Sequence, residues 1–240
     1  MLKIVILEKT YNVAKHSSAK ALDYILKEEL KDLNVKIVDI TFTKDRYAEI
    51  TLDGEDEKIA KNFIVEKYGS NERKIGDIQV GEIIYGRFKD VGKVKFGLFV
   101  DAGIETSTQK IDALYPLFKM REQLAGGKKT SLVNTIRALG IVENLPLKFE
   151  IIEKKVLGSK VWVKISDDSL RWFLEPFKEN KEALIICGTT RRSIKQALIQ
   201  SKHIEDIDEF ERIGLLEYRL VCKRGTRADG LIPELGSYLG

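Results

Sequence analysis

One stretch, Val80 to Pro116, constrains this 240-residue chain more than any other. A first strand is expected from about Ile78 to Phe88, then an Asp90-Val91-Gly92 turn, then a second strand from Val94 to Ala102. In that second strand Val94, Phe96, Leu98 and Val100 alternate with Lys95, Gly97, Phe99 and Asp101. A period of two marks a strand with one face in a core and one outside. After a polar loop, Asp112 to Tyr115 reads as a short third strand.

Gly81-Glu82-Ile83, Gly86-Arg87, Phe96-Gly97-Leu98-Phe99-Val100-Asp101 and Ala113-Leu114 resemble the first three strands of an S1-type OB-fold domain. Pro146 to Glu153 and Val156 to Ile165 then supply the last two. The resemblance implies single-stranded RNA binding on one strand face, with affinity from aromatic stacking and a basic groove. In that family the two Phe of the matching motif stack on bases. Strict alternation puts Phe96 and Phe99 on opposite faces, and a bulge at Gly97 would bring them together. Where the family often has a His after the third strand, this chain has Pro116. The whole chain is also similar to an uncharacterised archaeal family that ends in a motif like Val221-Cys222-Lys223-Arg224-Gly225-Thr226 followed by Gly230 to Gly236.

The flanks read as small α+β units. Leu2–Leu7 is a strand. A helix capped at Asn12 or Ser17 runs to about Leu33. Strands over Val35–Thr43 and Tyr47–Leu52 follow, then a helix from Glu55 to Tyr68 with an acidic first turn. After the barrel come a short helix over Leu170–Phe177, a strand over Ala183–Cys187 and a helix over Arg191–Ser201. Strands over Ile204–Ile213 and Leu215–Cys222 precede a final helix opened by Pro233. The expected fold class is therefore α+β, a central S1-like OB β-barrel flanked by two small β-α-β-β-α segments. The expected domains are 1–74, 75–167 and 168–240. The excursion from Pro116 to Leu145 holds two helices, the second capped by Thr130 or Ser131 and stopped by Gly140.

Charge is unevenly placed. Residues 75–166 carry 15 Lys+Arg against 10 Asp+Glu, whereas residues 1–74 carry 14 of each and residues 167–240 carry 12 against 13. A local basic excess is the electrostatic footprint of a polyanion partner. The expected RNA contacts are Tyr85, Arg87, Lys93, Lys95, Phe96, Phe99, Lys128 and Lys129. Further candidate phosphate contacts are Arg191 and Arg192 at a helix start, and Lys223, Arg224 and Arg227 between two glycines. Gly126-Gly127-Lys128-Lys129-Thr130-Ser131 is not a Walker A loop, since Glu122 stands where its first Gly belongs.

No Ser/His/Asp set or Cys/His pair is evident, so no enzymatic activity is expected. With two histidines and two cysteines lacking CxxC spacing, no metal and no cofactor are expected. Cys187 and Cys222 read as buried strand thiols. No apolar run reaches the length of a membrane span, and the start does not read as a signal peptide, so a cytoplasmic location is expected. The Lys/Glu/Ile-rich usage is of the kind reported for thermophiles. The expected role is a non-catalytic RNA-binding protein associated with a ribosome or ribonucleoprotein. The alternative is a module that docks a ribosomal or RNA-polymerase (transcription) protein.

Overall fold

The computed structural model describes residues 1–11 and 15–239. The N-terminal unit runs β1 (Leu2–Lys9), α1 (Lys15–Glu29), β2 (Val35–Phe42), β3 (Tyr47–Gly54) and α2 (Glu57–Tyr68). Its antiparallel sheet has the order β1-β3-β2. Ile4 and Ile6 of β1 and Ala48, Ile50 and Leu52 of β3 share one face, as a period of two dictates, and bury against Leu22, Leu26, Ala60 and Ile64 of the helices. Of the two expected caps of α1, Asn12 lies outside the described residues.

The centre comprises β4 (Arg73–Lys74), β5 (Ile83–Lys89), β6 (Gly97–Glu105), β7 (Lys110–Pro116), α3 (Leu117–Leu124), α4 (Leu132–Leu139), β8 (Pro146–Lys155), β9 (Lys160–Ile165) and α5 (Asp167–Lys178). Strands β6, β5, β8, β9 and β7 are hydrogen-bonded in that order, and a further β6–β7 pairing closes them into a five-strand barrel. Phe88, Leu98, Val100, Ala113, Tyr115, Phe149, Ile151, Val161 and Val163 fill it. Phe88 stacks on Tyr115 at 6.3 Å and meets Phe149 edge-on at 5.4 Å. Ser131 caps α4 by accepting from the Asn134 N–H, and Gly140 ends it at φ 62°.

The C-terminal unit is β10 (Ala183–Cys187), α6 (Arg191–Gln200), β11 (Ile207–Arg212), β12 (Glu217–Cys222) and α7 (Ala228–Leu239). Its sheet order, β10-β12-β11, repeats that of the N-terminal unit strand for strand. The loops joining the second and third strands, Thr43–Arg46 and Ile213–Leu216, are also the same length. Cys222 is buried and Cys187 half-buried.

Five expectations about elements are corrected. The first barrel strand starts at Ile83, not Ile78, because Gln79 to Glu82 form a turn closed by the Glu82 N–H to Gln79 carbonyl bond. The second starts at Gly97, so Val94 to Phe96 lie outside it. Residues 156–159 are a turn, not strand. Helix α7 begins five residues before Pro233, and Ile204–Asp206 is a 3₁₀ turn ahead of β11.

The units interlock. Leu215 and Leu216, on the β11–β12 loop, belong to the N-terminal core beside Ile6 and Ile64. Val5, Leu7 and Tyr47, on the opposite sheet face from that core, pack against Tyr85 of the barrel.

Candidate nucleic-acid interface

The barrel's outer wall follows from strand alternation. Leu98, Val100, Ala113, Tyr115, Val161 and Val163 point inward, so Phe99, Leu114 and Trp162 point outward. Register places Phe99 opposite Leu114 and Leu114 opposite Trp162. The three form one row across β6, β7 and β9, with Phe99 and Trp162 about 10 Å apart, two strand spacings. Phe96, 57% exposed, meets Phe99 edge-to-face with ring centroids 6.1 Å apart. At the other end Phe118 of α3, 53% exposed, meets Trp162 at the same centroid distance, 6.1 Å.

Gly97 makes the first of these pairs. A Cβ there would lie 2.5 Å from the Tyr115 carbonyl oxygen. The chain therefore pairs tightly with β7 at Gly97, and the Leu117 N–H bonds the Phe96 carbonyl at 2.9 Å. The strand begins only after Phe96, which frees that side chain from the alternation. This placement of Phe96 beside Phe99 needs no bulge.

Cations surround the row. Lys89 is the register neighbour of Phe99 and pairs with Asp112 at 2.8 Å. Lys160 Nζ sits 3.8 Å above the Trp162 ring, and Lys119 lies 5.9 Å from the Phe118 ring. Lys93 is exposed and paired with Asp90 at 2.5 Å. Lys95 is exposed beside Phe96. Lys128 and Lys129 are exposed on the α3–α4 loop, after two glycines with positive φ. Nothing in the sequence alone singles out Phe118, Lys119, Lys160 or Trp162 as contacts. Their signal was weak, because α3 and β9 reach this face only through barrel closure.

Arg87 requires a correction. It is not a surface cation: its side chain is 1% exposed. It lies between the Glu8 carboxylate of β1, at 2.7 Å, and the Glu217 carboxylate of β12, at 2.8 Å, both fully buried. One charged side chain from each unit thus meets at one point. Each carboxylate also accepts two further hydrogen bonds. Glu8 accepts from the Tyr85 hydroxyl at 3.0 Å and the Leu215 N–H at 2.5 Å. Glu217 accepts from the Tyr11 hydroxyl at 2.6 Å and the Leu216 N–H at 3.2 Å. Burial pushes the Glu8 carboxyl above the usual range, against the pull of Arg87. Burial likewise raises the phenols of Tyr11 and Tyr85, which stay protonated as donors. Tyr85 carries its hydroxyl to the junction on Glu8, while its half-buried ring lines the groove beside Lys148. A second joint lies alongside, where the Tyr47 hydroxyl donates to Asp101 and Lys9 pairs with Asp101 at 3.4 Å.

The C-terminal candidates lie elsewhere. Arg191 and Arg192 are exposed at the start of α6, with Arg191 5.2 Å from the Phe210 ring. Lys223, Arg224 and Arg227 are exposed on the loop before α7, where Lys223 approaches Glu205 at 3.8 Å and Arg227 pairs with Asp229 at 3.1 Å. Among the described residues no three His, Cys, Asp or Glu side chains are grouped to hold a metal ion. None of the described helices is long and apolar enough to cross a membrane.

Fold and site together define an α+β protein in which two units of one topology are clamped to a closed five-strand barrel carrying an aromatic outer row. The chain belongs to the DUF2110 family, whose N-terminal, central and C-terminal domains match residues 3–74, 78–175 and 181–240. The central match runs on through most of α5. No curated protein matches the chain. Among solved structures it is similar to the uncharacterized protein MJ1198 from Methanocaldococcus jannaschii, at 12% identity and TM-score 0.25, over 38% of this chain and 96% of that one. It is similar to the vaccinia virus (Wisconsin strain) K3L protein at 14% identity and TM-score 0.24, over 37% and 89%. A chain of an a/eIF2alpha–aDim2p–rRNA complex from Pyrococcus horikoshii OT3 aligns at 12% identity and TM-score 0.27, over 52% and 64%.

Proposed function

We propose that this chain binds single-stranded RNA on the outer face of its barrel and does so without catalysing a reaction. In this reading the barrel is an OB-type barrel of the S1 class, and the protein serves a ribosome or other ribonucleoprotein in the cytoplasm. The observation that carries it is the row Phe99–Leu114–Trp162, flanked by Phe96 and Phe118. Aromatic faces about 10 Å apart on a rigid wall suit successive unstacked bases, and every base has a π-face to offer. Lys160 covers Trp162 in the free protein. An entering base takes that place, and the displaced ammonium is then free to pair with a phosphate. Lys89, Lys93 and Lys95 supply further positive charge at the Phe end.

The test is a fluorescence titration with a short single-stranded RNA. Replacing Phe99 or Trp162 by Ala should each cost about 1–3 kcal/mol of binding, the worth of one stack. Wild-type protein that binds no RNA at low salt refutes the reading. One observation favours the alternative, docking of a ribosomal or RNA-polymerase protein. Among the described residues strand β2 pairs only with β3, which leaves its other edge open there, and Val38 is 49% exposed. An extended segment of a partner can add to such an edge.

A further inference from the structure

On the opposite side of the barrel from the aromatic row, residues of all three units line a shallow, open cleft of about 280 Å³. Each contributes a cation to its lining: Lys67 from α2, Lys148 from β8 and Arg212 from β11. Lys67 is held by Glu29 at 2.8 Å. Lys148 and Arg212 have no acidic side chain within ion-pair distance among the described residues, and both are exposed. The single acidic residue of the lining, Glu211, is already committed. Its carboxylate pairs with Arg219 at 2.9 Å and accepts from the Trp172 indole N–H at 3.0 Å.

Trp172 is the aromatic wall of this cleft. Its ring is braced: the Arg219 guanidinium carbon lies 4.1 Å from the ring centroid, and Arg219 Nη1 donates to the Trp172 carbonyl at 2.8 Å. Arg219 is itself buried, so the indole is backed on one face and pinned at its edge before any ligand arrives. A fixed aromatic plate beside two uncompensated cations matches a planar ring joined to a phosphate. The volume falls just under the usual range of ligand sites, room for one nucleotide and not for a long segment.

We infer that this three-unit cleft is a nucleotide site, with a base stacked on Trp172 and the phosphate held between Lys148 and Arg212. It does not depend on the aromatic row of the barrel, which lies on other strands. The nucleotide belongs either to an RNA strand that wraps the barrel or to a free nucleotide; the recognition chemistry is the same.

The experiment uses the full chain carrying Trp162→Phe, which leaves Trp172 as its one tryptophan. A ribonucleoside 5′-monophosphate should change Trp172 emission saturably. Lys148→Ala with Arg212→Ala should raise the half-saturation concentration at least tenfold without moving the melting temperature. Emission that stays unchanged to millimolar nucleotide overturns the inference. So does inorganic phosphate acting as well as the nucleotide, which would show a bare anion site. So does a double variant that binds like its parent. A single-stranded oligoribonucleotide that competes with the mononucleotide supports the strand as the source, and independent binding of the two supports a free nucleotide. A chain with Trp172→Phe reports the barrel face through Trp162, so failure at either place shows without the other.

Discussion

Arg87→Met is the most informative single change in this protein. It removes a guanidinium whose two partners, Glu8 and Glu217, are both 0% exposed, and puts in its place an apolar side chain of similar length. Two like charges then face each other without a cation. Removing one partner from a buried ion pair costs about 3–5 kcal/mol. The Tyr85, Leu215, Tyr11 and Leu216 donors remain, so the carboxylates stay hydrogen-bonded and the loss should not exceed that range. For a chain of this length each kcal/mol moves Tm by about 2–4 °C, so differential scanning calorimetry should show a fall of about 6–20 °C at pH 7. The pH dependence has a definite sign. Burial already raises the Glu8 pKa, and loss of the guanidinium raises it further. A carboxyl whose folded pKa lies above its unfolded value stabilises the fold relative to neutral pH once protonated, and that gain is lost as pH rises through the folded pKa. The Arg87→Met protein should therefore recover stability as pH falls from 7 toward 5. Adding Glu8→Gln and Glu217→Gln should restore most of the loss at pH 7, because neutral amides need no cation. A variant that melts within 1 °C of wild type, or one that keeps its Tm and loses only RNA affinity, would refute the reasoning.

Other expected outcomes are simpler to state. Changing Lys128 and Lys129 together to Ala should flatten the slope of log affinity against log salt by about 1.4, if each neutralises one phosphate of a single strand; an unchanged slope places the RNA away from the α3–α4 loop. Gly214→Ala should destabilise the protein in chemical denaturation, since a Cβ there would lie 2.1 Å from Glu217 Oε2, and an unaltered midpoint would show that the loop can shift freely. His203 bonds Asp206 at 2.6 Å and Glu234 at 2.7 Å, and these two partners raise its pKa. Its contribution is complete below about pH 6.5 and is lost as pH rises through the folded pKa. Amide exchange in α7 should accordingly quicken between pH 6 and 8, after correction for intrinsic rates, and a His203 NMR titration midpoint at or below 6.5 would contradict this.

Local signals carried much of the fold. The strand Ala183–Cys187, a cap at Thr130 or Ser131 and the Gly140 stop are legible because each depends on neighbours within a turn or two, and the structure settles the cap on Ser131. The barrel's strands were legible as strands, and their ends less so, since Gly97 begins pairing only where backbone approach to Tyr115 demands it. At Arg87 nothing local distinguishes a strand arginine facing solvent from one facing two carboxylates. Its partners stand 79 residues before it and 130 after it, and their approach is a tertiary fact. The same holds for Trp162 and Phe118, which reach the aromatic row through β7–β9 pairing. Pro233 was read as a first-turn residue, but the apolar spacing of Ala228, Leu231 and Leu235 starts the helix earlier.

The placement of Leu215 and Leu216 in the N-terminal core bears on how the chain is made. On a ribosome the first 74 residues emerge long before residue 215, so β1 to α2 must wait with two apolar positions of their core unfilled. The Glu8 carboxylate waits as well, because Arg87 and the Leu215 N–H that satisfy it come later. Closure over such sequence separations is slow, and exposed apolar surface in the interim favours aggregation. A nascent chain arrested before β12 should bind holdase chaperones through its N-terminal sheet and release them once Glu217 has cleared the exit tunnel. The N- and C-terminal units are thus a single late-closing clasp, and removal of residues 215–239 should damage β1 more than the barrel.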